Sequence, residues 1–221
     1  MHTLDHVIVA LHDQPLHEAP AGEVPAVRCT DQIAVLHGPV VSPDVASAPV
    51  DDRLVAELAE MVEVDQGVGA AREPGVFAHR MTLQERVELQ RVRVTNTDRL
   101  RAIVAEFGWP GRMLVGEQGA EDAWLIAQHA DHQLDSQRLF LKALQAAVDA
   151  GDAPARHVAY LTDRVAMNEG RPQTYGTQIA EVANGEGVAW PIRDPEQLDE
   201  RRARIGLPTF AEYVAQWRGL R

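Results

Sequence analysis

The run Ala123-Trp124-Leu125-Ile126-Ala127-Gln128-His129-Ala130-Asp131 sets an amide, an imidazole and a carboxylate into an otherwise apolar segment of helical pattern. A neutral amide or imidazole moved out of water without a partner costs on the order of a few kcal/mol, and an unpaired carboxylate costs more. These groups therefore need partners, a wet cavity or a ligand. Residues 119–131 read as the central helix of a mainly α-helical domain and as one wall of a site. On an ideal helix Trp124, Gln128 and Asp131 fall within a narrow arc, while His129 and His132 lie on the adjoining side with Leu125. The same residues also read as buried hydrogen-bonding groups that fix helix packing, and both readings stand at this point. His129 and His132 at i, i+3 with Asp135 nearby lack a third ligand at a usual spacing, so no metal is expected.

Helical patterns flank this run on both sides. Asp51 or Asp52 can cap a helix carrying Leu54, Val55, Leu58, Met61 and Val62, which reaches Asp65-Gln66 before Gly67 and Gly69 loosen it. Residues 83–94 predict a second helix, Thr95-Asn96-Thr97 a break, and residues 98–107 a third, stopped by Gly108-Trp109-Pro110. Residues 134–150 predict a helix closed by Gly151, and Asp152 with Pro154 opens another to about Asn168. Residues 173–178 and 188–192 flank Asn184-Gly185-Glu186-Gly187 and predict a small β-hairpin within residues 173–192. Asp194, as cap, and Pro195 then start a short helix through Arg204, and residues 210–217 form the last one. The expected fold is a compact multi-helix domain over residues 51–221. Residues 1–50 differ: five of the nine histidines and six of the thirteen prolines surround two short apolar runs, 7–11 and 33–36, which read as strands of an N-terminal extension.

With 221 residues, 45% of them apolar and 24% charged, the chain can bury one substantial core. No run approaches the roughly 18 apolar residues of a membrane span, and Met1-His2-Thr3-Leu4-Asp5 lacks the basic region and apolar core of a secretory signal, so a cytoplasmic location is expected. Cys29 is the single cysteine, which excludes an intrachain disulfide and a thiolate metal cluster. A net charge of -12 argues against nucleic acid and leaves a small molecule or a protein as partner. Lys142 is the sole lysine among 21 basic residues, which removes most Schiff-base options. Dinucleotide, phosphate-loop, nucleophile-elbow and His-Glu-x-x-His motifs are all missing. What remains is side-chain acid/base chemistry, with no cofactor expected.

Asp65 and Gln66 close an amphipathic helix beside glycines. A helix C-terminus disfavours a carboxylate by roughly 0.3–1 kcal/mol, and a carboxylate so raised in energy is a better base. Asp163 lies across its helix from Val158, Leu161 and Val165, beside Tyr160 and Met167. It reads as a solvent-side ion pair with Arg164 or another arginine, or as a cleft-lining acid. Residues 173–178 form a polar loop in which Gly176 permits close backbone approach and which presents Tyr175 and Gln178, as a turn or as a substrate loop.

Trp109-Pro110, Val115-Gly116, Ala123-Trp124-Leu125 with Gln128-His129-Ala130-Asp131, Gln137, Ala159-Tyr160-Leu161-Thr162-Asp163-Arg164, Gln173 with Tyr175-Gly176-Thr177-Gln178, Pro191-Ile192 with Asp194-Pro195, and Asp199-Glu200-Arg201-Arg202 with Gly206-Leu207 form a long ordered motif set. Together they resemble a bacterial, largely actinobacterial, family of unknown function over about residues 51–217. The chain departs from that pattern where Gly69 replaces an arginine and Arg93 replaces an aspartate. The resemblance implies specialised metabolism and an association with enzymes that close aziridine rings by expelling sulfate. The expected function is then a cofactor-independent acid/base enzyme, a lyase or cyclase, acting on a small polar molecule, free or carrier-protein-bound. Asp65 or Asp131 removes a proton, His129 orients or relays it, and Gln66, Trp124, Gln128, Asp163, Tyr175 and Gln178 hold the substrate. Under ring closure, the deprotonated amine displaces an internal leaving group. The competing expectation is a non-catalytic ligand-binding or accessory subunit that docks through its N-terminal extension, as a homo-oligomer or in a complex with a pathway protein.

Overall fold

Asp51 accepts the backbone N–H groups of Arg53 and Leu54 at 3.1 and 3.0 Å and so caps α1, Asp52–Gly67. The computed structural model describes residues 6–10, 29–33, 50–67, 82–183 and 186–216. Leu54, Leu58 and Met61 make the buried face of α1, and Asp65 continues that face one turn later. α2, Leu83–Phe107, opens with a capping box between Thr82 and Glu85. It is one helix where the sequence predicts two. The Thr95 and Thr97 hydroxyls donate one turn back to the Arg91 and Arg93 carbonyls (3.0 and 2.7 Å), and Asn96 donates to the Met61 carbonyl at 2.9 Å. The residues expected to break the helix are thus satisfied within it or by α1.

α3, Arg112–Gln128, starts earlier than expected, bends at Gly116 (φ 70°, ψ 178°) and stops at Gln128. His129 and Asp131 follow in the turn, so the ideal-helix projection that aligns Asp131 with Gln128 does not apply. Gly111 gives α3 no capping side chain. Asp152 supplies one instead, accepting the Met113 N–H at 2.7 Å while its own carbonyl takes Arg112 N–H at 3.0 Å. Asp152 was expected to cap the helix that follows it; that helix, α5 (Ala155–Asn168), has Pro154 at its N-cap. Between them α4, Leu134–Asp149, ends before Gly151, whose φ of 75° turns the chain.

Leu58, Leu100, Ile103, Ala123, Phe140, Leu144, Leu161 and Ile179 are wholly buried and join these helices into one core. β3, Ile179–Ala183, and β4, Glu186–Ala189, form the antiparallel hairpin expected within residues 173–192, with Ile179 opposite Ala189. A 3₁₀ turn, Pro195–Gln197, leads to α6, Leu198–Arg204, and α7, Phe210–Ala215. Asp194 makes no capping bond and sits at φ 45°, against expectation. β1, His6–Ala10, and β2, Cys29–Ile33, pair antiparallel. β2 ends where the second expected strand begins, and residues 34–36 lie outside the described residues. Among the described residues no helix is long and apolar enough to cross a membrane.

A Cβ on Gly111 would lie 2.1 Å from an Asp152 carboxylate oxygen and 2.9 Å from its carbonyl, the two groups that cap α3. Gly111→Ala is expected to cost roughly 1–3 kcal/mol, read as a lower urea midpoint. Gly67→Ala, whose Cβ meets nothing within 4 Å, is the control and stays within about 0.5 kcal/mol.

Candidate functional site

Asp65, in the last turn of α1, sits in the interior. The His129 Nδ1–H donates to Oδ2 at 2.6 Å, Gln66 Nε2 donates to the same oxygen at 3.0 Å, and Arg93 Nε donates to Oδ1 at 3.2 Å. Arg93, one of the two motif departures, is thus the guanidinium that faces this acid, and it is only 5% exposed. Burial pushes the Asp65 carboxyl up, but His129 and Arg93 outweigh it and hold the group well below the usual carboxylate range. The fold therefore makes a stabilised anion here and not the energetically raised base that the helix end suggests. Burial holds His129 below its ordinary value, and the Arg93 and Arg164 guanidiniums add to this against the pull of Asp65. Burial and the two guanidiniums thus favour the neutral ring. Because an ionised carboxylate only accepts, the His129 proton is assigned to Nδ1. Nε2 then carries a lone pair, and among the described residues neither it nor the neighbouring Gln128 Nε2 has a hydrogen-bond partner.

Asp131 belongs to a different cluster. It accepts from Arg164 Nε and Nη2 at 2.8 and 2.7 Å and from Asn168 Nδ2 at 2.8 Å, with Gln137 Nε2 at 3.4 Å. Burial raises this carboxyl and Arg164 more than offsets it, so Asp131 too lies well below the usual range. Arg164 Nη1 donates to Gln178 Oε1 at 3.1 Å. Asp163 does not face solvent. It is wholly buried and accepts the backbone N–H groups of Thr174 (2.6 Å), Tyr175 (3.0 Å) and Thr177 (3.0 Å), plus the Thr177 hydroxyl at 3.0 Å. Burial pushes its carboxyl up against the pull of those donors. The 173–178 loop that covers it closes at Gly176 (φ 68°), where a Cβ would meet the Phe210 ring at 3.0 Å. Asp65, Gln66 and His129 thus meet, Asp131 and Gln178 meet through Arg164, and Asp163 meets the backbone of Tyr175.

The cleft lies elsewhere. It has a volume of about 190 Å³ and is walled by Glu121 and Trp124 of α3, Arg156, His157 and Tyr160 of α5, and Leu207, Pro208 and Tyr213 near α7. Trp124 is the only expected substrate-contacting residue in it. Its indole stacks on the His157 imidazole at 4.5 Å and meets Tyr160 edge-on at 5.8 Å, and its N–H donates to the His157 carbonyl at 3.2 Å. His157 Nε2–H donates to both Glu121 oxygens, at 3.1 and 3.0 Å, and Arg156 Nη2 donates to Oε1 at 2.6 Å. His157 is 1% exposed, burial holds its ring below the ordinary value, and the buried Nδ1 has no hydrogen-bond partner among the described residues. Burial raises Glu121, but His157 and Arg156 bring it below the usual range. Sequence reasoning missed Glu121, Arg156, His157 and Tyr213. The available signal was Glu121-x-x-Trp124 and His157-x-x-Tyr160, two helices that each present a polar and an aromatic side chain at i, i+3.

Residues 52–219 match the model of a family of unknown function, DUF6624. The chain belongs to that family. Neither a curated protein nor a solved structure matches it. The match takes in α1 to α7 and leaves β1 and β2 outside. Among the described residues of this DUF6624 chain no group of three or more His, Cys, Asp or Glu is placed to hold a metal ion.

Asp131→Asn strands the Arg164 guanidinium in the interior and is expected to cost roughly 3–5 kcal/mol by chemical denaturation. Asp135→Asn, at an exposed i, i+3 pair with Arg138, should change stability by less than about 1 kcal/mol. Because His129 and His157 titrate below their unfolded value of 6.5, the unfolded chain takes up protons that the folded chain refuses. Their contribution to stability is complete above pH 6.5 and is lost as pH falls below it. The urea midpoint should therefore fall on acidification from neutral pH, and His157→Gln should flatten that fall.

Proposed function

We propose that this DUF6624 chain is an acid/base enzyme acting on a small polar molecule bound in the Trp124 cleft, with His157 accepting the proton and Glu121 orienting it. One observation carries the reading: a neutral imidazole in a cleft wall has one nitrogen fixed by a carboxylate and the other without a protein partner. That order, carboxylate then imidazole then reacting group, is how a weak base is aimed at a substrate proton. As a substrate N–H or O–H bond breaks, its proton passes to Nδ1, and the Glu121 carboxylate stabilises the imidazolium. Glu121 is itself a poor base, since it is held ionised by His157 and Arg156. Arg156 is placed at the same carboxylate to receive a departing anion, which accommodates an intramolecular displacement such as aziridine closure with loss of sulfate. Aimed acid/base groups contribute about 10²–10⁴-fold in rate. A volume of about 190 Å³ is below the roughly 300–1,000 Å³ of drug-sized sites and suits a small substrate or the reacting end of a carrier-bound one. Specialised metabolism in the actinobacterial cytoplasm is the setting that the motif resemblance supports.

A second reading places the same chemistry at Asp65 and His129, with Gln66 and Gln128 beside them. Its supporting observation is the partnerless His129 Nε2. One experiment separates the two. The full chain, His157→Asn and His129→Asn, each checked for folding, are incubated with a small-molecule extract and followed by mass spectrometry. The wild type should consume a compound at least about 10²-fold faster than His157→Asn. Loss of turnover in His129→Asn alone moves the chemistry to the Asp65 pair. A compound retained by the wild type but never converted overturns both and leaves a ligand-binding or accessory subunit.

A further inference from the structure

Resting on the cleft reading, we infer that the cleft's ligand presents a small organic cation, a primary or secondary ammonium, to Glu121, His157 and the aromatic wall. Glu121 is the partly exposed acceptor of the cleft wall. His157 Nε2–H is spent on it, and the buried Nδ1 has no hydrogen-bond partner among the described residues. Glu121, whose side chain is 27% exposed, takes donors from His157 and Arg156 alone, and a carboxylate offers about four acceptor positions. Trp124 and Tyr160 supply the electron-rich wall that attracts an ammonium within about 6 Å of a ring. Arg156, a cation of the cleft wall, is drawn onto Glu121 and half-exposed. The chain's net charge of -12 steers cations toward it and anions away.

The test uses the full chain and three probes of one shape, n-butylammonium, n-butanol and butyrate, each titrated while the Trp124 indole N–H is followed by NMR. Butylammonium is expected to saturate with a dissociation constant at least tenfold below those of the other two. Glu121→Gln, shown folded by its unchanged thermal transition, should erase that preference. Butyrate or butanol binding as tightly as butylammonium overturns the cationic ligand while leaving the cleft and its acid/base chemistry standing. Failure of butylammonium to shift Trp124 also overturns it, and together with unchanged turnover in His157→Asn it removes the cleft reading as well.

Discussion

Asp131 and Arg164 form a two-pronged ion pair with almost no surface open to water, and most of the architecture around the 173–178 loop hangs from it. Burying two charges costs several kcal/mol per ion, which close geometry offsets only when the remaining donors and acceptors are also filled. Here they are filled from three directions. Asn168 of α5 and Gln137 of α4 reach Asp131, and Gln178 at the start of the hairpin reaches Arg164. Gln137 also donates to the Ala127 and Gln128 carbonyls at 3.3 Å, so the frayed end of α3 is held by α4. The residue before Arg164 in α5 works in the other direction: Asp163 gathers the N–H groups of the 173–178 loop. With the loop fixed, the Thr177 carbonyl can receive the Tyr213 hydroxyl at 2.6 Å and the Tyr175 carbonyl can receive Arg202 at 2.6 Å. Arg202 lies 5.0 Å from the centre of the Tyr213 ring. Tyr213 of the cleft wall is thus tied through the 173–178 loop to Asp163 and Arg164, adjacent residues of α5.

The carboxylates divide their work by what surrounds them. Asp65, Asp131 and Glu121 each face a guanidinium and are held ionised, and Asp163 is saturated by backbone donors. A general base works best with a pKa near the operating pH, which none of those three anions has. The imidazoles carry the opposite imprint. Burial keeps each neutral, a carboxylate fixes one nitrogen, and the second nitrogen is left without a protein partner. Aspartate and glutamate therefore orient, and histidine is the group with a lone pair to use.

The helices were legible because their apolar residues recur at helical spacing, and the demand for partners in residues 123–131 was legible because amide, imidazole and carboxylate stand among alanine, leucine and isoleucine. The partners were not. Arg164, Asn168 and Gln137 come from other helices, and no local pattern says which arginine meets which acid. Asp163 lies opposite an aliphatic stripe, a pattern that solvent explains until a loop 11 to 14 residues away folds over it. Thr95-Asn96-Thr97 has turn composition, yet each side chain finds an acceptor within or across the helices. Glu121 and His157 escaped notice because a glutamate or histidine beside an aromatic is ordinary on an exposed helix; only the packing of α3 against α5 makes one constellation of them.

α3 carries a member of each carboxylate–imidazole pair, Glu121 in its middle and His129 at its C-cap. Eight residues of helix put them about 12 Å apart along one rod, with Trp124 between. Each pair has the same three parts: an acid, a ring and an arginine, Asp65–His129–Arg93 in one and Glu121–His157–Arg156 in the other. Solvent separates them. The Asp65 side chain is 4% exposed and Glu121 27%, so a ligand can reach the second without opening the core. A guanidinium has two effects in such a trio: it keeps the acid ionised and it disfavours an imidazolium beside it. In the closed pair both effects leave a neutral ring in a dry interior, which suits a fixed join between α1, α2 and the end of α3. In the open pair Arg156 and Glu121 are both partly exposed, so an arriving ligand can change the field on His157, and that access to solvent separates a site from a strut.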